Sequence, residues 1–170
     1  TPMEAVERLA QRVGITLGKF SARPDISNEI TKLYDINQRA AKYFHDNLMN
    51  VGEQEKEMVW EYLDKRGLDR SSITKFGIGY ARGNWHALEN FFIEEGVYTH
   101  SDLELAGLVI RSEKDFKYHD RFRGRLIFPI LNESGKVVGF GGRILKGDED
   151  SAKYINSPET RIYYKSKTLY

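Results

Sequence analysis

Apolar residues are spaced for helices through most of this chain and for strands only near its end. Ile30, Leu33, Tyr34, Ala41, Phe44 and Leu48 recur three, four or seven apart, one stripe of a long helix that Ser27 caps and that Asn50 and Gly52 end. A second helix turns Met58, Val59, Tyr62 and Leu63 inward. Glu53, Glu55 and Glu57 fill its first turns and Lys65 and Arg66 its last, the order that suits a helix dipole, before Gly67 stops it. The two helices are expected to form an antiparallel pair whose stripes are core and carry no chemistry. Residues 3–12 suggest a short helix broken at Gly14, so that 1–26 reads as a linker arriving from an upstream module. Residues 69–75 predict a short capped helix and 76–80 a brief strand with turn glycines. Trp85, Leu88, Phe91 and Phe92 mark another short helix, and Thr99 to Ala106 one more.

After Gly107 the period changes. RLIFPILN (125–132) is a continuous apolar run suited to a buried strand, Asn132 to Gly135 make a turn, and VVGFGGRIL (137–145) returns as the second arm of a hairpin. Pro129 inside the first arm has no N–H to donate, which places it at an edge or a bulge. The expected class is α+β: a mainly helical part over 27–110, then a small, mostly antiparallel β-sheet in a β-rich part over 111–170.

Charge sharpens this division. The chain has 170 residues, 40% of them hydrophobic, and a net charge of +1. Residues 1–110 hold 13 Lys/Arg against 17 Asp/Glu, whereas 111–170 hold 13 against 8. A basic last third suggests a polyanionic partner on one face, although a solvated surface of mixed charge would give the same count. There is no cysteine, which removes disulfides and thiolate metal sites and suits an intracellular, cytoplasmic protein. No apolar run approaches the roughly 18 residues of a membrane span, so no membrane partner is expected. His45, His86, His100 and His119 show no metal-ligand spacing.

Candidate chemistry concentrates in 118–170. In YHDRFRGR the residues Arg121, Arg123 and Arg125 alternate, and a strand would aim all three at one face, where phosphodiester oxygens match the guanidinium fork. Pairing with Asp115 or Asp120 is the alternative. GFGGR (139–143) is neither a dinucleotide fingerprint nor a phosphate loop; its glycines permit close approach of a backbone or a flat ligand, and Arg143 then projects. In KYINSPET, Lys153 brings a point charge, Tyr154 a stacking face and Asn156 both donor and acceptor. Lys165 and Lys167 follow, interleaved with Tyr163, Tyr164 and Tyr170. Cations beside aromatic rings suit single-stranded nucleic acid; a tyrosine-rich core edge with snorkelling lysines is the other reading.

The succession DRFRGRLIFPILNESGKVVGFGGRIL, KYINSPET and YYKSKTLY resembles the catalytic core of bacterial DNA primases of the DnaG type, with order and spacing intact over 118–170. The resemblance implies the N-terminal subdomain of a DNA-directed RNA polymerase, a nucleotidyltransferase that copies single-stranded DNA template into short RNA primers from ribonucleoside triphosphates. It implies Mg²⁺ or Mn²⁺ held by a following Toprim subdomain, zinc in a preceding module, and a replicative helicase bound elsewhere; none of these parts is expected within 1–170. Arg121, Arg123 and Arg143 match basic residues associated with template or nucleotide phosphates. Lys153 and Lys165 match two lysines at the active-site rim, and Tyr154 and Asn156 lie in the same motif as nucleotide or template contacts. The stretch KGDEDSA (146–152) is longer and more acidic than the family pattern. A non-catalytic single-strand-binding module, and a structural domain whose lysines and tyrosines form a dimer face, are the rival readings. On the primase reading the segment alone binds single strands weakly and makes no primer.

Overall fold

The computed structural model describes residues 24–147 and 150–166. The helix expected over 3–12 and the tail beyond Ser166, with Lys167 and Tyr170, lie outside them.

The long first helix, α1 (Pro24–Met49), is already helical three residues before the expected cap. Ser27 lies inside the helix, where its carbonyl accepts from Thr31 Oγ1 at 3.0 Å. Leu33, Ile36, Ala40, Phe44 and Leu48 are buried along one face. The same face buries Asn37 and Asn47, which spend their amides on the sheet: Asn37 Nδ2 donates to Val137 O at 3.4 Å and Asn47 Nδ2 to Tyr80 O at 3.3 Å. His45 Nδ1 lies 2.8 Å from Ile78 O; a carbonyl can only accept, so that nitrogen carries the proton. A helix fastened in this way packs on the sheet, principally on β1 (Gly79–Ala81) and β5 (Val137–Ile144), rather than along a second helix. The expected antiparallel pair is therefore corrected. The next helix, α2 (Glu53–Lys65), meets α1 only around Leu48, where Val59 and Leu63 join a separate core.

Three short helices follow. Asp69 caps α3 (Arg70–Phe76) by accepting from Ser72 N at 2.8 Å. The fourth helix is α4 (Ala87–Glu95), and α5 (His100–Leu105) opens on a capping box between Thr99 and Asp102. Trp85, expected within α4, lies outside it and is 57% exposed. Two strands absent from the expectation, β2 (Val109–Arg111) and β3 (Tyr118–Asp120), form a small antiparallel ribbon.

The main sheet has the order β1-β4-β5-β6 with every pairing antiparallel; β4 is Arg125–Leu131 and β6 is Tyr154–Asn156. The predicted hairpin is β4–β5. Pro129 sits in an interior strand, yet β1 pairs only with Arg125 to Ile127, so no strand needs an N–H on that side of Pro129, and the register shifts one residue later, between Ile130 and Leu131. Alternation sends Ile127 and Phe140 to a core shared with α1, α4 and α5, and Tyr80 and Leu126 to a core shared with α2 and α3. The sheet is the common wall of both.

Candidate nucleic-acid interface

The three alternating arginines do not share a strand face. Residues 121–124 carry the chain from β3 to β4 as a bend, and Gly124 takes a left-handed φ of 59° that no strand uses. Arg125, at the start of β4, is 7% exposed and clamps two main-chain oxygens with Nη1, Gly142 O at 3.2 Å and Lys153 O at 3.3 Å. Arg121 donates through Nε and Nη2 to Asn156 O, at 3.1 and 2.8 Å. Arg123 Nη1 donates to the main-chain oxygen of Asp120 at 2.6 Å, and its guanidinium lies 3.8 Å from the centre of the Trp85 ring. Burial draws all three below the ordinary arginine pKa, but a guanidinium keeps its charge in a protein.

The carboxylate alternative fares no better. Asp120 turns its side chain to the start of α4 and accepts from Leu88 N at 2.8 Å and Glu89 N at 2.9 Å. Burial pushes its carboxyl up to about 6 even so. Asp115 accepts from Lys117 N. Among the described residues no carboxylate forms an ion pair with Arg121, Arg123, Arg125 or Arg143.

Cross-strand register groups the other candidates. Leu126, Arg143 and Tyr154 are direct partners across β4, β5 and β6, so they share the face that α2 covers. The Arg143 guanidinium is 4.8 Å from the Tyr154 ring centre, and its Nε donates to Tyr62 Oη at 3.0 Å, a bond that holds its pKa above the ordinary value. Tyr154 is 63% exposed, Lys153 is exposed beside it, and Asn156 is half-buried opposite Gly141. Register thus places Arg143, Tyr154 and Asn156 on one face of β5 and β6, with Lys153 exposed one residue before β6 and Arg121 and Arg125 holding main-chain oxygens at that strand's two ends. Arg123 belongs with Trp85. Lys165 is exposed and tied by its amide to Glu159 Oε1 at 3.2 Å.

The glycines of GFGGR accommodate the protein itself. A Cβ at Gly142 would come within 2.8 Å of the Phe122 ring, and one at Gly139 within 3.2 Å of Ser157. Gly107, at a left-handed φ of 75°, lets Pro158 of the NSPET motif pack where a Cβ would be 2.5 Å from the ring. Ser157 is wholly buried and accepts from Phe140 N through Oγ at 2.9 Å. This motif is a seam that sets Lys153 and Tyr154 in place.

Two aromatic residues escaped the sequence reading. Spacing places Trp85 in a short helix and Tyr62 among the inward positions of another, and neither is marked for function. The histidines behave as structural groups: His86 and His100 each bond one oxygen of Glu89, at 2.6 and 2.7 Å, and His119 lies edge-on to Trp85. Among the described residues no three His, Cys, Asp or Glu side chains gather to hold a metal, and no helix is long and apolar enough to cross a membrane.

Residues 43–170 match the family described as DNA primase catalytic core, N-terminal domain. The DNA primase of Clostridium acetobutylicum is 40% identical over 170 residues, covering 99% of this chain, and that of Halalkalibacterium halodurans is 42% identical over 174 residues. The chain spans only 27% and 28% of those two relatives. A DnaG primase catalytic domain bound to single-stranded DNA superposes with a TM-score of 0.73 at 33% identity, over 85% of this chain and 43% of that one. The RNA polymerase domain of Mycobacterium tuberculosis primase, in complex with a double-stranded DNA oligomer bearing a 6-nucleotide overhang, gives 0.72 at 34%, over 81% and 41%. The mixed helical and antiparallel architecture is theirs as well. Sequence, fold and motif order agree, and the chain belongs to the family of DNA primase catalytic-core N-terminal domains.

Proposed function

We propose that these residues form the nucleic-acid-holding part of a primase, a DNA-directed RNA polymerase that lays short RNA primers on single-stranded template during replication. One observation carries the reading: Arg143 and Tyr154 stand 4.8 Å apart on one sheet face, beside exposed Lys153, with no carboxylate paired to the guanidinium. A fixed cation beside an exposed ring is what a flexible single strand needs, since phosphates bind the charge and bases stack on the ring. Trp85 with Arg123 offers a second such pair. The similar catalytic domain bound to single-stranded DNA supports the same assignment.

In the whole protein the reaction is nucleotidyl transfer: a primer 3′-hydroxyl attacks the α-phosphorus of a ribonucleoside triphosphate, a P–O bond forms, and pyrophosphate leaves. Arg143, Lys153 and Lys165 are assigned to triphosphate or primer phosphates, Arg121 and Arg123 to the template strand, and Tyr154 and Asn156 to nucleotide or template contacts. Arg125 has a bracing role beneath them. Mg²⁺ or Mn²⁺ would neutralise the triphosphate and activate the hydroxyl. Among the described residues no three His, Cys, Asp or Glu side chains gather to hold such an ion, and its ligands are assigned to another part of the longer protein. Zinc and the replicative helicase are assigned to other parts of the longer protein, which works in the cytoplasm on this reading.

The test is a fluorescence-anisotropy titration of the full-length chain with single-stranded DNA at two salt concentrations, wild type against Lys153→Ala. Affinity is expected to fall with salt, and the variant to bind more weakly with a salt slope shallower by about one. Affinity indifferent to salt, or to Lys153, refutes the assignment.

A further inference from the structure

We infer that Tyr62 is a positioning residue, which holds the Arg143 guanidinium against the face that takes phosphate. The inference rests on the proposed reading of that face and adds a residue 81 positions away in sequence.

An arginine on an exposed strand can sample many rotamers, and an anion that binds it must order it. Arg143 is already ordered. Tyr62 Oη accepts from Nε at 3.0 Å, and the Tyr154 ring lies 4.8 Å from the guanidinium carbon. Nη1 is buried and has no hydrogen-bond partner. The geometry is that of a cation held by a phenol oxygen and lying beside an exposed ring before any anion arrives.

Tyr62 can do this because α2 is itself fixed. Val59 and Leu63, on either side of it in the helix, are fully buried in the core beneath the sheet. Glu55, two turns earlier, accepts from Tyr80 Oη of β1 at 2.9 Å. The hydroxyl of Tyr62 is therefore delivered to β5 by a helix anchored at two points. Arg66 also lies over the Tyr62 ring, at 5.4 Å, so the phenol is held from the helix side too.

The test is a double-mutant cycle in the full-length chain, with Tyr62→Phe, Arg143→Ala and the pair, read by single-stranded DNA affinity alongside thermal unfolding. Phenylalanine keeps the ring and its packing and removes only the hydroxyl. Tyr62→Phe is expected to weaken binding about five- to tenfold with the melting temperature unchanged, and to have no further effect once Arg143 is alanine. The same loss in both backgrounds would mean a general structural effect and overturn the inference. So would unaltered affinity in Tyr62→Phe while Arg143→Ala binds weakly. Unaltered affinity in Arg143→Ala would instead overturn the reading of the face, and this inference with it.

Discussion

At the scale of single residues, Asp120 is the carboxyl that burial displaces upward among the described residues. Its folded pKa near 6 stands above the usual 3.8, so the folded state binds a proton more tightly than the unfolded chain does. That contribution is complete below pH 3.8 and is lost as pH rises through about 6. Between those limits the shift is worth up to about 3 kcal/mol. Thermal unfolding followed from pH 4 to 7 should show stability declining over this window, and Asp120→Asn should flatten the decline. An unchanged profile in the variant would show that another group sets it. Residue identity singled out Arg143 in GFGGR and Lys153, Tyr154 and Asn156 in KYINSPET, but the strand pairing that sets Arg143 opposite Tyr154 could not be read from either motif. Tyr62 was illegible: its partner is remote in sequence, and its helical spacing is that of an ordinary core position. Arg121, Arg123 and Arg125 were misjudged for a definite reason. Period-two spacing implies one face only where the backbone is extended, and here Gly124 turns it.

At the scale of elements, the β4–β5 hairpin was readable from an apolar run, a turn of polar residues and a second apolar run. The β2–β3 ribbon was not. Its strands are three residues long and contribute only one fully buried apolar side chain, Val109, so no periodicity could declare them. Ser27 has the composition of a cap, yet it lies within α1, where its carbonyl accepts from Thr31 Oγ1. Close packing at β5 makes a sharp demand on sequence. Gly142→Ala would drive a methyl into Phe122 and Arg125, at 2.8 and 3.1 Å. Overpacking of this kind costs about 1–3 kcal/mol, which urea unfolding would register as a lower midpoint at constant slope. A neutral outcome would show that Phe122 has room to turn aside.

At the scale of the whole molecule, one sheet divides two cores and belongs to both. Phe44 is the joint on the α1 side, its ring 5.4 Å from Phe140 and 6.4 Å from Phe122. Phe44→Ala should cost about 3–5 kcal/mol. Because neither core can lose the sheet alone, that loss should appear as one transition. The two tryptophans make this measurable, since Trp60 packs against the α2 core and Trp85 lies beside β3 and α4. Fluorescence and far-ultraviolet circular dichroism should give coincident curves; separated curves would mean that the two sides melt independently. Charge is arranged on the same scale. A molecule of net charge +1 has little long-range pull on a polyanion, so the affinity expected of the basic face depends on contact rather than on steering.

The strand that carries Lys153's neighbours is one of the two three-residue edges of the main sheet, paired over only Tyr154 to Asn156 and, among the described residues, free of a strand on its outer side. Guanidiniums reaching from Arg121 and Arg125 supplement that short ladder at both ends. If this border peels away, Tyr154 leaves Arg143 in the same movement, and the surface proposed for a polynucleotide ceases to exist as a unit. Occupancy should therefore slow amide exchange at Ile144 and Ser157, whose N–H groups close the two ends of the border, more than in the interior of either helix-covered core.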